Sequence, residues 1–276
     1  MIAIGGTKIT KAYLGSTELK NIAIGDELLL SSEPLPYLKF TALEDGTFKF
    51  GKAIEYSLDG ETWTSLAANT ASPTIHTGEY IMWRGTYSPE NSAKNRFSST
   101  GSFNVEGDPR SIYAGDSFKS ASIVNYTFTY LFYQCKVVDA SGLLLPATSL
   151  VNWCYNRMFQ GCTSLTAAPR LLPAATLKPY CYQYMFEGCT SITTAPVIAA
   201  TTLDSTCCRY MFQGCTSLNY IKAMFVTDPS TVTNSLTDWV KNVAASGTFV
   251  KNSSATWNIT GNNGIPSGWT VETASE

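Results

Sequence analysis

The side chains able to do chemistry are eight cysteines, one histidine and a scatter of carboxylates. The cysteines are regularly spaced. Cys135, Cys162, Cys189 and Cys215 form one series; Cys154, Cys181 and Cys207 form a second, each eight residues ahead of a member of the first. Zinc sites draw on cysteines about two to four residues apart, so an interval of eight is a poor match for a metal. Three readings stay open: small buried hydrophobes with weak S–H donors, stacked cysteines close enough to oxidise, and a metal site. The regularity of the series favours the first. Cys208 lies outside both series, and adjacent cysteines rarely form an unstrained bridge.

His76, in SPTIHTG, has no second histidine and no nearby cysteine to make a triad or a multi-histidine metal site. It reads as a loop residue. Glycoside hydrolysis needs two carboxylates across a cleft, and Glu44, Asp45, Asp59, Glu61 and Asp108 are the candidates. Asp-Gly and Asp-Pro steps are also what turns use. Dinucleotide-binding and P-loop glycine patterns are absent from the sequence. The expectation is a chain with no catalytic residue, cofactor or metal. Trp153, Tyr155, Tyr182, Tyr184 and Tyr210 invite a binding reading, since rings stack on sugars and fill protein interfaces. Packing between repeats is the competing reading.

What must position these residues is a repeat. YLFYQCKVV from Tyr130, RMFQGCTSL from Arg157, YMFEGCTSI from Tyr184 and YMFQGCTSL from Tyr210 align, with Phe132, Phe159, Phe186 and Phe212 at intervals of 27, 27 and 26. Leu-Pro-Ala-Thr and Ala-Pro markers recur between them. A fixed period of this length marks a solenoid whose coils cover one another's apolar faces. Coils one strand spacing apart, about 4.8 Å, would stack the phenylalanines and both cysteine series into inner columns. Such a stack needs caps. Ser111–Phe118 reads as a degenerate first coil. Residues 229–245 read as a helix with Leu236, Trp239, Val240 and Val243 on one face, followed by a tail that ends on Trp269.

The fold class expected is mainly β with short helices, in four parts. Residues 1–32 carry glycine-punctuated short strands around Gly5, Gly15 and Gly25. Ser31–Pro36 is a linker. Residues 37–108 alternate apolar and polar positions, with an Asp59-Gly60 hairpin turn, and suggest an immunoglobulin-like sandwich. Residues 109–227 form the solenoid and 228–276 its cap. Only 14% of residues are charged, the formal charge is −2, and basic runs are absent, so nucleic acid and anionic lipid are not expected partners. The N-terminus lacks the pattern of a secretory signal, and the longest apolar runs fall far short of a membrane span.

The MFxGCTSL motif with its LPAT and CY markers resembles the BspA-like leucine-rich repeats of gut Bacteroidetes and their phages, over roughly residues 111–221. FTALEDGTFKF, EYSLDGETW and IMWRG resemble the β-sandwich module that often precedes such repeats. The N-terminal segment is more weakly similar to short β-repeats of phage tail or fibre proteins. The resemblance implies a non-enzymatic, virion-associated structural or adhesion protein: a fibre, capsid decoration or tail component. Its N-terminal segment would hold other virion proteins, the chain would form a homo-oligomer (a trimer favoured), and the repeats would face a host glycan or protein. The alternative is a bacterial cell-surface adhesin or carbohydrate-binding protein.

Overall fold

The computed structural model describes residues 36–274 and, ahead of them, the backbone of six short strands. The chain divides into two compact units, Met1–Pro36 and Tyr37–Glu276. In the first, β1 (Ile2–Ile4) pairs antiparallel with β2 (Thr7–Ile9), β3 (Tyr13–Leu14) with β4 (Thr17–Glu18), and β5 (Asn21–Ile24) with β6 (Glu27–Ser31). Gly5, Gly15 and Gly25, on which turns were expected, lie outside the described residues.

The second unit begins with β7 (Leu38–Ala42), β8 (Phe48–Phe50), β9 (Ile54–Ser57), β10 (Thr64–Leu66), β11 (Tyr80–Arg84), β12 (Phe97–Ser99) and β13 (Phe103–Gly107). Together with β14 (Gly142–Leu143) they make a six-stranded sheet, in the order β10-β9-β11-β7-β13-β14, and a separate β12–β8 pair. Period-two alternation aims Leu38, Phe40 and Ala42 inward along β7 and Phe103 and Val105 inward along β13. The two layers meet through rings: Phe40 lies 5.3 Å from Phe48 and 4.8 Å from Phe97, centroid to centroid. β9 and β10 form the expected hairpin, and Asp59 closes it. Its Oδ1 accepts from the amides of Glu61 and Thr62, at 2.8 and 2.7 Å, and from Ser57 Oγ at 2.9 Å.

Ser111–Phe118 is not a coil. Ser111–Ala114 is the one short α-helix among the described residues, α1, and Gly115–Ser120 continues it as a 3₁₀ turn. Ser111 Oγ donates to the Trp83 carbonyl and accepts from the Leu38 amide, tying α1 to the sheet.

Beyond it the chain is a β-solenoid of about four turns, from Tyr126 to Val243. One side carries β15 (Leu171–Leu172), β16 (Val197–Ile198), β17 (Tyr220–Ala223), β18 (Thr248–Lys251) and β19 (Thr270–Thr273), all parallel. The opposite side, which holds the MFxGC motif, is neither strand nor helix. It is a ribbon of consecutive β-turns ten residues long, recurring at residues 126–135, 153–162, 180–189, 206–215 and 234–243. Within each ribbon every fourth residue has positive φ: Tyr126, Tyr130 and Gln134 in the first, Tyr180, Tyr184 and Gly188 in the third, Asn234, Asp238 and Asn242 in the fifth. Amides alternate in their partners. In the first ribbon Thr129, Leu131, Tyr133 and Cys135 donate three residues back, whereas Phe128, Tyr130, Phe132 and Gln134 donate to Cys154, Asn156, Met158 and Gln160 of the next coil.

This geometry buries residues in adjacent pairs with a period of four. In the second ribbon Cys154 and Tyr155, then Met158 and Phe159, then Cys162 point inward. The phenylalanines stack coil over coil: Phe132–Phe159 at 5.2 Å, Phe159–Phe186 at 5.3 Å and Phe186–Phe212 at 5.6 Å, with planes within 22° of parallel. The column runs on into the sheet region, where Phe97 stacks on Phe132 at 6.1 Å. Backbone bonds cross the same join, from Phe97 N to the Leu131 carbonyl and from Val105 N to that of Asp139.

Residues 229–245 depart from the expected helix. Pro229–Thr231 is a 3₁₀ turn, and 234–243 is the fifth ribbon. Leu236, Trp239 and Val240 do face the core, because a four-residue period and a helical period coincide over so short a stretch. The end is closed by three indoles: Trp239 Nε1 donates to the Gly264 carbonyl, Trp257 Nε1 to Phe225 and Trp269 Nε1 to Ala244. Among the described residues no helix is long and apolar enough to cross a membrane.

Truncating Phe186, fully buried at mid-column, removes ring contacts on both sides. Phe186→Ala should cost about 3–5 kcal/mol, measured by denaturant unfolding. A loss under about 1 kcal/mol would mean the stack does not hold the coils together.

Candidate binding groove on the turn face

The positive-φ residues form three columns on the ribbon side. Tyr126, Trp153, Tyr180, Thr206 and Asn234 make the first, Tyr130, Arg157, Tyr184, Tyr210 and Asp238 the second, and Gln134, Gly161, Gly188, Gly214 and Asn242 the third. A left-handed conformation costs an L-residue roughly 1–2 kcal/mol, and glycine or asparagine is the usual occupant. Tyrosine, tryptophan and arginine hold it here because coil-to-coil stacking compensates. Trp153 stacks on Tyr180 at 3.9 Å and 10°, Tyr184 on Tyr210 at 4.8 Å, and the Arg157 guanidinium lies 3.9 Å over the Tyr184 ring.

These contacts divide the five aromatics singled out from sequence. Tyr155 and Tyr182 are buried in the column that also holds Phe128, so they face the core and are not available to a ligand. Burial pushes both phenols well above their ordinary range. Trp153, Tyr184 and Tyr210 are partly exposed, but their faces lie against each other or against Tyr180, so edges and hydroxyls are what they offer. Tyr126, Tyr130 and Tyr180 share these columns and were not singled out; their place directly ahead of a buried pair was the available signal.

Beside the second column runs a shallow groove of about 300 Å³. Gly161, Gly188 and Gly214 form its floor. Tyr133, Gln160, Glu187 and Gln213, one per coil, form its wall, and Gln134 and Asn242 stand at its ends. The wall is pre-oriented. Arg157 Nη1 donates to Gln160 Oε1 at 2.8 Å, and Gln160 Nε2 donates to Glu187 Oε2. Gln213 Oε1 has no hydrogen-bond partner within the chain. The groove was not foreseen from sequence, since its wall residues look like any exposed polar positions.

The four phenylalanines and the seven repeat cysteines, Cys135, Cys154, Cys162, Cys181, Cys189, Cys207 and Cys215, are all buried. One cysteine series has a defined bonding role. Cys162, Cys189 and Cys215 each donate S–H to the carbonyl of the phenylalanine one coil earlier, Phe132, Phe159 and Phe186, at 2.9–3.1 Å. Cys135 does the same to Phe97 at 2.9 Å. All eight thiols are free. Among the described residues no group of three or more histidine, cysteine or acidic side chains could hold a metal ion.

The carboxylates weighed for catalysis occupy separate structural positions. Glu44 accepts from the Ser102 amide, and Asp45 accepts from Thr77 and pairs with His76 Nδ1 at 2.9 Å on an exposed turn. That hydrogen bond raises the His76 pKa and lowers that of Asp45. Asp59 has its carboxyl held far below the usual range by turn amides. Glu61 sits on the same turn. Asp108 is buried, with Arg110 gripping both its oxygens, and burial still raises its pKa.

Fold and groove together define a capped β-solenoid with side-chain columns on a turn-built face. Comparison with family models, with curated protein sequences and with solved structures finds no match to the chain.

Burial pushes the Cys135 and Cys154 thiols to about 12 and raises those of Cys162, Cys181, Cys189, Cys208 and Cys215. An aromatic disulfide reagent at pH 9–10, where an exposed cysteine is largely thiolate, should therefore leave the native protein unlabelled and titrate all eight thiols after denaturation. Rapid native labelling would contradict the packed columns.

Proposed function

We propose that the chain is a non-enzymatic structural or adhesion protein of a phage virion, whose solenoid displays a binding face to host or gut surfaces. The observation that carries the display reading is the turn face itself. Its backbone donors are spent within and between coils, its side chains are held in columns, and both ends of the stack are covered. Such a scaffold offers side chains at fixed intervals and needs no moving part. The virion placement rests on the resemblance of the MFxGCTSL repeats to BspA-like leucine-rich repeats, and on reading the 37–108 region as an immunoglobulin-like module. In this reading the N-terminal hairpins attach the protein to other virion components as a homo-oligomer, a trimer favoured.

Mass spectrometry of purified particles tests the placement. The protein should band with mature virions and resist removal by a salt wash. Its absence from particles, with recovery in a bacterial surface fraction instead, would overturn the virion assignment in favour of a cell-surface adhesin.

A further inference from the structure

The third positive-φ column holds an unexplained preference. Gly161, Gly188 and Gly214 have φ of +74°, +71° and +76°, a region glycine enters freely. Yet the same column carries Gln134 at +55° and Asn242 at +61°, and the neighbouring columns carry tyrosine, tryptophan, arginine, threonine, asparagine and aspartate at +50° to +65°. The ribbon therefore does not require glycine for its backbone. Nor does packing require it at every coil. A Cβ at Gly188 would meet nothing nearer than Gly161 Cα at 3.8 Å, and one at Gly214 nothing nearer than Gly188 at 3.7 Å, both ordinary contacts. What the missing side chains create is the groove, since any larger residue here would fill it. The wall that then lines it is held by hydrogen bonds from Arg157 through Gln160 to Glu187, and Gln213 beside them buries an Oε1 that has no partner within the chain.

We propose that this groove binds a linear, neutral or amine-bearing oligosaccharide laid along the solenoid axis, an inference that rests on the display reading above and names the ligand class of its face. The chemistry selects this class over others. Glu187 is the one charged residue lining the groove, so phosphate, sulfate and uronate polymers are repelled. The lining is amide, carboxylate, phenol and glycine, which suits a hydroxyl-rich ligand that both donates and accepts, not a lipid. An extended peptide would seek free backbone groups to pair with. Here the amides of Gln134, Gly161, Gly188 and Gly214 already donate to Gln160, Glu187, Gln213 and Lys241, so recognition falls to side chains. Hydroxyls of the sugar would extend the chain of hydrogen bonds from Arg157 through Gln160 to Glu187 and meet the Gln213 side chain that lines the groove. The groove volume, about 300 Å³, lies at the small end of ligand sites, consistent with weak single-site binding strengthened by multivalent display.

The test uses the full chain on an array of short linear oligosaccharides, neutral, amine-bearing, sulfated and uronate, followed by titration calorimetry with the best binder. Neutral or amine-bearing members should be retained and anionic ones not. Gly188→Asn, which fills the floor with a residue the column tolerates at Asn242, should lower affinity at least tenfold while leaving the thermal midpoint close to that of the parent. Gln213→Ala, which keeps the floor intact, should weaken binding several-fold. Saccharide binding that both variants leave unchanged would place the ligand elsewhere on the display face and overturn the groove assignment. Absence of binding to every saccharide, or selective binding of anionic ones, would overturn the ligand class. Neither result touches virion association, which is read separately from purified particles.

Discussion

The structure of the second unit depends on how a ribbon residue disposes of its amide hydrogen. Alternate amides close a turn three residues back, and those between them reach the next coil. A β-strand would send its hydrogen bonds to neighbours on both sides, and a helix would keep them all to itself. The ribbon does some of each, so each coil is rigid locally and is also bonded to the coil that follows it. Because no backbone donor can be left unpaired inside such a stack without a cost of about 1–3 kcal/mol, the ten-residue ribbon keeps its length. The intervals between corresponding residues, Tyr126 to Trp153, Tyr180, Thr206 and Asn234, are 27, 27, 26 and 28. The extra or missing residues are taken up in the segments between ribbons, where no such bond pattern constrains them.

From that arrangement follow both the core and the surface. Inward positions come in adjacent pairs, so two columns, one of phenylalanine and one of methionine, run side by side with the cysteines flanking them. The Cys135, Cys162, Cys189 and Cys215 thiols are small enough for the bend that ends each ribbon and still offer a donor to a phenylalanine carbonyl behind them. Valine would fit that space without the bond, as Val243 does in the last coil. Phe97 of β12 occupies the place one coil before Phe132, with its carbonyl bound by Cys135 and its ring on the column. The sheet region thus serves the solenoid as an N-terminal cap, just as the three indoles close the other end. Outward positions inherit the same spacing, and columns of like side chains are the result.

Much of this was legible in the residues. The repeat, its period, the burial of the phenylalanine and cysteine series and the hairpin at Asp59 all rest on local spacing, and spacing is what a sequence records directly. The local pattern also misled, and two of the cases show the physical reason. Apolar pairs at a four-residue period look helical over a short stretch, so 229–245 read as a helix, although Asn234, Asp238 and Asn242 stand at each positive-φ position. Tyr155 and Tyr184 both flank the MF pairs, but only their place relative to the positive-φ residue sends one ring inward and the other outward.

By itself, the sequence determined that coils repeat and which side chains recur in register, because identical residues at a constant interval must stack once coils do. Only the tertiary structure decided which backbone carries that register, which rings face the core, and that three glycines leave a groove open. Those outcomes depend on φ at single residues and on hydrogen bonds between positions some 26 residues apart, and neither is written in the identity of any one residue.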